Sequence, residues 1–513
     1  MRNKFILLCI FLLALVLRTI NLGDLPHGFF EEEVTNAYVG RFILQNGKDL
    51  YGNIFPLLYF DKFHDYPPVL PMYISGLGTF VFGNTEFAAR FPIALTGALT
   101  VFPVFGLAAF FGLSGLFAAL LLAILPWHIV LSRTGAEGIV GLYVYSLALV
   151  WLFQKKIRWG MIALIFTYFL YPSFRILVPL SALPLIFLLK PRKTFILAGI
   201  GFVLLTAVIS MTTWGRGRFE QTSVFKSTEI RDRVEFLNTY FSNDEGTNRV
   251  WFARMFHNKG IGYAREIAKQ YMTYFSPSHL FYEAEGQPRY FNVPQQGLLY
   301  ITMGLLLLVA LIPVGSKKFM GFIVYLLLIA PIPAVLTMDF VPHAHRSLMM
   351  ILPLIVIASY GYLFLRRFRI VLLILFTIEL VYFWHQYAHH SASYQSRLRN
   401  DGDKEITRYI IDHEGEYDRI IIPMFERLPV YYAFFSGNYN AALAGQFRNE
   451  LKIDRIGNVE FFTDWCPTKY LKDVAANTLV VDNGDCPGVD GYQEIDSFVR
   501  RDGTRAYKIL LWK

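Results

Sequence analysis

Three adjacent carboxylates, Glu31, Glu32 and Glu33, follow the first apolar segment of the chain. Neighbouring carboxylates repel one another, and this repulsion tends to raise the pKa of at least one member of such a cluster. A carboxylate with a raised pKa could accept a proton from a substrate hydroxyl as a general base. Acidic residues also favour the first turn of a helix, where the macrodipole stabilises them, so a structural role stays open.

Several arginines lie at the ends of apolar runs, where an unpaired charge is costly. Arg133 is close in sequence to Glu137, and the two could form an ion pair or face an active cleft. Arg175 and the dipeptide His345-Arg346 occupy similar positions. Arginine can hold a phosphate through two parallel hydrogen bonds, although it can also anchor a helix end at the membrane surface. These arginines and His345 could therefore bind an anionic phosphate group.

A further pair of polar residues, His64 and Asp65, precedes the paired prolines Pro67 and Pro68, which favour an extended segment. The pair could position an acceptor or bind a metal of unknown identity, and an ordinary loop contact remains an alternative. The sequence contains no phosphate-binding glycine loop with its lysine, no His-Glu-x-x-His motif and no G-x-S-x-G motif. The outer carboxylates and arginines therefore suit a lipid-phosphate substrate best.

The composition indicates that a membrane positions these residues. The chain has 513 residues, of which 54% are hydrophobic and 17% charged, against roughly 25% charged in soluble domains. Several apolar runs approach the roughly 20 residues that a helix needs to cross a bilayer. The net charge of +9 does not indicate nucleic-acid binding, because many basic residues form short clusters between apolar runs.

The basic clusters that follow the N-terminus lie at 155–158, 190–193, 317–318 and 366–369. They predict the topology, since the positive-inside rule places them in the cytoplasm. An even number of apolar runs lies between successive clusters, and the stretch 69–83 is too short for a full span. The sequence thus predicts a polytopic α-helical membrane protein with about eleven transmembrane helices, its N-terminus inside and its C-terminus outside. The predicted runs are roughly 5–20, 91–112, 115–131, 138–154, 159–171, 174–190, 194–212, 296–313, 319–337, 347–365 and 370–384.

Two domains are predicted: a transmembrane domain over 1–385 and a small extracytoplasmic α/β domain over 386–513. The transmembrane domain would carry a first outer loop at 21–90 and a long outer loop at 213–295.

Within the outer domain, the pattern predicts a helix after Asp403, a strand at 419–422 and a terminal hairpin turning at Asp502-Gly503. Cys466 and Cys486 could form a disulfide if this domain faces an oxidising compartment, and two free thiols are the alternative.

The outer-face motifs resemble membrane glycosyltransferases of the GT-C fold, specifically the protein O-mannosyltransferase and aminoarabinose-transferase relatives of family 39. The resemblance covers roughly residues 5–385. Where the family carries a catalytic Asp, this chain has Glu32, which keeps the carboxylate on a longer side chain. The motifs that carry the resemblance are Glu32-Glu33 with Ala37-Tyr38, the segment 47–52, Tyr66-Pro67-Pro68, Arg90-Phe91-Pro92, Ser132-Arg133 and the segment 343–346.

The resemblance implies inverting transfer of a sugar from a polyprenyl-phosphate donor to a hydroxyl of a lipid, glycan or protein acceptor. The topology predicted from the basic clusters places this reaction at the extracytoplasmic face of the cell membrane. Glu32, with Glu33 beside it, would act as the base, and the arginines would hold the lipid phosphate. Glu31, His64, Asp65 and Glu137 would help position the acceptor. No cofactor is required, and a divalent cation stays open.

Two other classes of function remain as alternatives. A flippase or transporter of lipid-linked sugars would often show internal repeats and ionisable residues near the bilayer midplane. This chain shows no repeat, and most of its charges lie near the ends of the apolar runs. An assembly or adhesion protein would need only one span and no acidic cluster, so this alternative is the weaker one.

Overall fold

The protein is described from a computed structural model of the chain. His64 and Asp65 lie outside the described residues, so their predicted roles stay predictions. The described residues are 2–61, 66–244, 255–256, 258–284, 291–312, 317–338, 341–424, 427–472, 474–475 and 477–512.

Two compact units make up the chain, and each combines segments that are distant in sequence. All the named strands belong to the second unit. We call the first the helical unit and the second the mixed unit. The helical unit contains Met1–Ile10, Thr100–His128 and Gly141–Glu379, and the mixed unit contains Phe11–Leu99, Ile129–Val140 and Leu380–Lys513. The predicted domain boundary after residue 385 stays a prediction.

Helices form most of the described structure, and most of the predicted apolar runs are helical. The run predicted at 159–171 contains most of helix Ile157–Thr167, and a break that includes Pro172 separates it from helix Phe174–Leu188. The other helices of eight or more residues are Arg2–Thr19, Glu31–Asn46, Leu70–Phe82, Glu86–Leu99, Val101–Phe110, Gly115–Ile124, Pro126–Arg133, Gly138–Phe153, Arg192–Met211, Thr213–Thr222, Thr228–Asp244, Lys259–Thr273, Ile301–Val309, Lys317–Ile329, Ile351–Leu365, Arg369–His385, Asp403–His413 and Leu428–Phe435.

The long outer loop predicted at 213–295 contains helices that the sequence analysis did not assign. Thr213–Thr222 and Thr228–Asp244 follow closely on the apolar helix Arg192–Met211, and Lys259–Thr273 comes later. These segments mix charged and apolar residues, so they lack the continuous apolar run by which the spans were found. Amphipathic helices have such a mixed composition, because one face is apolar and packs against the rest of the protein while the opposite face is polar.

Three described helical stretches are long and apolar enough to cross a membrane: Glu86–Phe110, Arg192–Met211 and Leu348–Gln395. A fourth is gained if Gly115–Ile124 and Pro126–Arg133, which are bent by 56° at their junction, form one span. Other apolar helices are shorter, including Leu70–Phe82 in the stretch predicted to be too short. The chain is therefore a membrane protein, whereas the predicted count of eleven stays a prediction.

Helix Arg192–Met211 shows most clearly that the protein needs an apolar surrounding. Only 11% of its apolar window is buried inside the protein, and Leu197, Val203, Leu204 and Val208 are all more than half exposed. An exposed apolar surface of this length is costly in water and favourable in the hydrocarbon core of a bilayer.

The mixed unit ends in a six-stranded sheet of order β2-β3-β1-β4-β6-β5. Its central strand, β1, is parallel to both β3 and β4, and the remaining pairs are antiparallel. The apolar residues of β1 and all of β4 are buried, as expected for strands covered on both faces. The strands are β1 Arg419–Pro423, β2 Arg455–Ile456, β3 Val459–Phe462, β4 Thr478–Asn483, β5 Tyr492–Val499 and β6 Arg505–Trp512.

Three local predictions for this region are confirmed. A helix begins at Asp403, a strand includes 419–422, and β5 and β6 form a hairpin. Gly503 in the hairpin turn has a φ of 82°, a left-handed conformation that glycine adopts without a steric penalty.

Cys466 and Cys486 form a disulfide in this unit, which decides between the two alternatives left by the sequence. The bond closes a loop with a sequence separation of 20 residues. Cross-linking over a loop of this size stabilises a fold by about 3 kcal/mol, chiefly by restricting the unfolded chain.

We therefore expect the double substitution Cys466→Ser and Cys486→Ser to lower the free energy of unfolding by about 3 kcal/mol. Thermal unfolding of the purified protein, with and without a reductant, measures this loss. The reductant should lower the melting temperature of the wild type and leave that of the double variant unchanged. Equal sensitivity of both proteins would contradict a stabilising disulfide.

Candidate active site

The acidic cluster occupies the first turn of helix Glu31–Asn46. Glu33 reaches back to accept a hydrogen bond from the backbone N–H of Phe30 at 3.0 Å, a contact typical of a helix start. The helix ends at Asn46 and is capped by Gly47, whose φ of 68° lies in the left-handed region. The three carboxylates therefore lie at one fixed helix end, where each has different surroundings.

Glu33 is buried and bound by two arginines. Arg90 donates from Nε to Glu33 Oε1 at 3.1 Å and from Nη2 to Oε2 at 3.0 Å, while Arg399 Nη2 donates to Oε2 at 2.9 Å. All three side chains are almost fully buried. We call these residues the Glu33 triad. Because both carboxylate oxygens accept from arginines, the geometry favours a structural role for Glu33. Of the two glutamates predicted to be catalytic, the geometry therefore favours Glu32 as the base.

The same arginines fix the segment that leads into the helix. Arg90 also donates to three backbone carbonyls of residues 22–28, at distances from 2.7 to 3.1 Å. Arg399 Nε donates to the carbonyl of His27 at 2.9 Å. Gly28 has a φ of 73°, and a Cβ atom there would lie 2.3 Å from the Arg399 carbonyl oxygen. A side chain at this position would push the segment off the triad.

Glu31 and Glu32 share a different arginine, Arg427. Arg427 Nε lies 3.3 Å from Glu31 Oε2, and its Nη2 lies 3.7 Å from Glu32 Oε1. The Arg427 side chain is 5% exposed, that of Glu31 27% and that of Glu32 44%. Glu32 is thus the most accessible carboxylate of the cluster, so it remains the best-placed candidate for a base.

Within the described parts of the chain, the buried Arg133 binds backbone carbonyls rather than a carboxylate. Its guanidinium donates to the carbonyls of Leu17, Ile20 and Leu25 at 2.7 to 3.0 Å. These contacts tie Arg133 to the C-terminal end of helix Arg2–Thr19 and to the segment after it, so they favour an anchoring role. Donor binding by Arg133 stays a prediction. Glu137 is half-buried in the turn before helix Gly138–Phe153, and its predicted positioning role is likewise untested.

In the helical unit, Arg175 and Arg346 line one cavity of about 240 Å³. Arg346 Nη1 donates to the Thr337 hydroxyl at 2.7 Å, and Arg175 Nε donates to the Tyr168 carbonyl at 3.3 Å. Two guanidinium groups and several hydroxyls in one cavity form a donor-rich, cationic site suited to a phosphate. The hydroxyl residues that line it are Tyr171, Ser173, Thr206, Ser210, Thr222, Ser223 and Thr337.

His345 is not among the described residues that line this arginine cavity. Its buried ring stacks on Tyr171, which does line it, with the ring centroids 4.7 Å apart. Its backbone N–H donates to His343 Nδ1 at 3.2 Å. Burial, followed by the charge of Arg346, holds the pKa of His343 well below its usual range. Positive charge near the cavity therefore comes from the arginines rather than from His343, and donor binding by His345 stays a prediction.

The described part of the chain contains no group of three or more His, Cys, Asp or Glu side chains arranged to hold a metal ion. His64 and Asp65 lie outside this described part. The divalent cation left open by the sequence remains untested.

Comparison with known proteins finds no matching family model and no matching curated protein. Two solved structures are similar at 16% sequence identity: ArnT from Cupriavidus metallidurans in the apo state and the same protein bound to undecaprenyl phosphate. The first has a TM-score of 0.43 and covers 99% of this chain and 98% of that chain. The second has a TM-score of 0.42 and covers 98% and 97%.

ArnT is an aminoarabinose transferase of the family-39 type that the sequence motifs resemble. Both TM-scores lie below 0.5.

The Glu33 triad predicts a contrast between neighbouring glutamates. Glu33→Gln would leave two buried arginines without their carboxylate, a change that typically costs about 3–5 kcal/mol. Glu32→Gln, at the exposed neighbour, should change stability much less. Thermal unfolding of both variants in the same detergent measures the difference. Equal melting temperatures for Glu33→Gln and the wild type would contradict the structural role of Glu33.

Proposed function

We propose that this protein transfers a sugar from a polyprenyl-phosphate donor to an acceptor hydroxyl on the extracytoplasmic face of the membrane. The observation that carries the proposal is the cavity lined by both Arg175 and Arg346. Residues of the lipid-exposed helix Arg192–Met211 line the same cavity. A cationic cavity next to an apolar surface matches a ligand with a phosphate head and a hydrocarbon tail.

The phosphate is the leaving group of the proposed reaction, so its negative charge develops in the transition state. Arg175 and Arg346 would stabilise that charge through hydrogen bonds, the interaction by which arginine recognises phosphate. One of the two similar ArnT structures is bound to undecaprenyl phosphate. We assign a ligand of the same class to this cavity because of the cavity's own arginines and hydroxyls.

Glu32 would act as the general base. Its carboxylate would take the proton of the acceptor hydroxyl while the acceptor oxygen bonds to the anomeric carbon of the sugar. The bond from that carbon to the phosphate oxygen would break, and the phosphate would leave with the bonding electrons. Attack opposite the leaving group inverts the anomeric configuration. No cofactor enters these steps, and a divalent cation stays open.

The extracytoplasmic placement is supported by two independent features. Basic clusters between the apolar runs predict a cytoplasmic N-terminus and an outer C-terminal region. The Cys466–Cys486 disulfide lies in that C-terminal region, and disulfides persist chiefly in oxidising, extracytoplasmic compartments.

Glu32→Gln tests the base, because glutamine keeps the shape of glutamate but cannot accept the proton. Loss of a general base typically slows a reaction by about 10²–10⁴-fold. The measurement is transfer of label from a panel of radiolabelled undecaprenyl-phosphate sugars in membranes that contain each variant. Transfer by Glu32→Gln at the wild-type rate would remove Glu32 from the mechanism.

Undecaprenyl phosphate itself tests the arginine cavity without knowledge of the sugar. We expect Arg175→Ala and Arg346→Ala each to weaken its binding to the purified protein about tenfold or more, the loss expected for a charge-assisted hydrogen bond. Native mass spectrometry of the protein with added lipid measures binding. Arg158→Ala, an exposed arginine of a predicted cytoplasmic cluster, is the matched control. Equal loss in the control would indicate non-specific charge attraction.

Topology is tested by labelling in intact cells. Single cysteines at the exposed positions Arg158 and Arg455 should respond differently to a membrane-impermeant maleimide. The cysteine at 455 should be labelled in intact cells, whereas the cysteine at 158 should require lysis. Labelling of 158 but not 455 in intact cells would contradict the proposed orientation.

A further inference from the structure

Arg427 lies just beyond the carboxyl end of β1, before helix Leu428–Phe435. Strand β1 sits between the parallel strands β3 and β4. The chain leaves β1 towards β3, whereas it leaves β4 in the opposite direction, towards β6 and β5. Open α/β sheets bind ligands outside the carboxyl ends of their strands at such a reversal of strand order. Arg427 therefore occupies the position at which an α/β domain usually presents its functional groups.

The backbone of Arg427 is unusual, with a φ of 64° and a ψ of 27°. Left-handed conformations are unfavourable for residues with a side chain, and they persist where surrounding contacts stabilise them. The contacts in this case are polar: Glu31, Glu32 and the Thr35 hydroxyl, to which Arg427 Nη1 donates at 3.2 Å.

Glu31, Glu32 and Thr35 all belong to helix Glu31–Asn46, in its first five residues. Thr35 is fully buried and Glu31 is about a quarter exposed, so they form the inner side of the contact. Glu32 forms the outer and longer contact at 3.7 Å. Thr35 and Glu31 thus contact Arg427 on its buried side, while its Nη2 group lies nearest the accessible carboxylate of Glu32.

We propose that Arg427 is a positioning residue, contributed by the C-terminal sheet region, that holds Glu32 in the orientation from which it accepts the acceptor proton. The inference rests on the proposed function, because it assumes that Glu32 is the base. It gives the sheet region a part in the reaction, although that region is far from Glu32 in the sequence. Arg427 acts through Glu32 and is not itself expected to touch the substrate.

The planar guanidinium group of Arg427, with its several N–H donors, is essential to this positioning role. Arginine presents several N–H donors in a fixed plane, so one side chain can contact Glu31 and Glu32 together, whereas the ammonium of lysine is a single flexible point charge. Arg427→Lys should keep the charge and much of the stability but lose the fixed orientation of Glu32. Displacement of a catalytic group by about 1 Å can cost on the order of 10²-fold in rate.

The test compares Arg427→Lys and Arg427→Met with the wild type in the labelled-donor transfer assay, with kcat and KM for the donor measured separately. We expect kcat to fall by on the order of 10²-fold in Arg427→Met and less in Arg427→Lys, with donor KM little changed. A general loss of folded protein would instead lower the amount of active enzyme, so each rate is normalised to the folded fraction.

Arg419→Met is the matched control, because Arg419 is also an arginine paired with a glutamate, Glu460, at the other end of β1. Its kcat should equal that of the wild type. Glu31→Gln supplies a second variant if Arg427→Met does not fold. It removes the closer anchor of Arg427 and keeps the arginine, and it should also lower kcat.

Failure of this inference is distinct from failure of the proposed function. If Glu32→Gln loses transfer while Arg427→Met, Arg427→Lys and Glu31→Gln keep the wild-type kcat, the base is supported and the positioning role of Arg427 is overturned. If Glu32→Gln keeps full transfer, the base assignment fails and the inference fails with it. In the supporting outcome, Arg427→Met combined with Glu32→Gln is no slower than Glu32→Gln alone, because both changes act on one group.

Discussion

The burial of Glu33 between Arg90 and Arg399 is the constraint that positions the acidic cluster. A carboxylate removed from water is stable only when its charge is paired and its oxygens accept hydrogen bonds. The three residues come from the first turn of helix Glu31–Asn46, from helix Glu86–Leu99 and from the start of the C-terminal region. Their network therefore fixes where Glu31 and Glu32 lie, and it leaves Glu32 accessible.

Three neighbouring carboxylates thus acquire three roles from their surroundings. Glu33 supports the fold, Glu31 anchors Arg427, and Glu32 is proposed to exchange a proton. Chemical identity alone does not separate them, because the sequence repeats one residue type three times. Burial and the choice of arginine separate them.

Local pattern predicted much of the fold, including the apolar helices, the β1 strand and the terminal hairpin, because each depends on residues close in sequence. The helices within 213–295 were missed because their mixed composition lacks a continuous apolar run. The acidic cluster could be found for the same local reason. Its partners could not, since Arg399 lies 366 positions from Glu33 and nothing local to Arg427 indicates which acid it contacts. The placement of Arg175 and Arg346 in one cavity is likewise a property of the tertiary structure.

The most direct test of the account is to locate the lipid donor on the protein. A photoreactive analogue of undecaprenyl phosphate, cross-linked to the purified protein and mapped by peptide mass spectrometry, provides that location. We expect adducts at residues that line the arginine cavity, among them Ser173, Arg175, Leu336, Thr337 and Arg346, and their loss when unlabelled undecaprenyl phosphate is in excess. Adducts that compete with the unlabelled lipid but fall only outside this cavity would contradict the account.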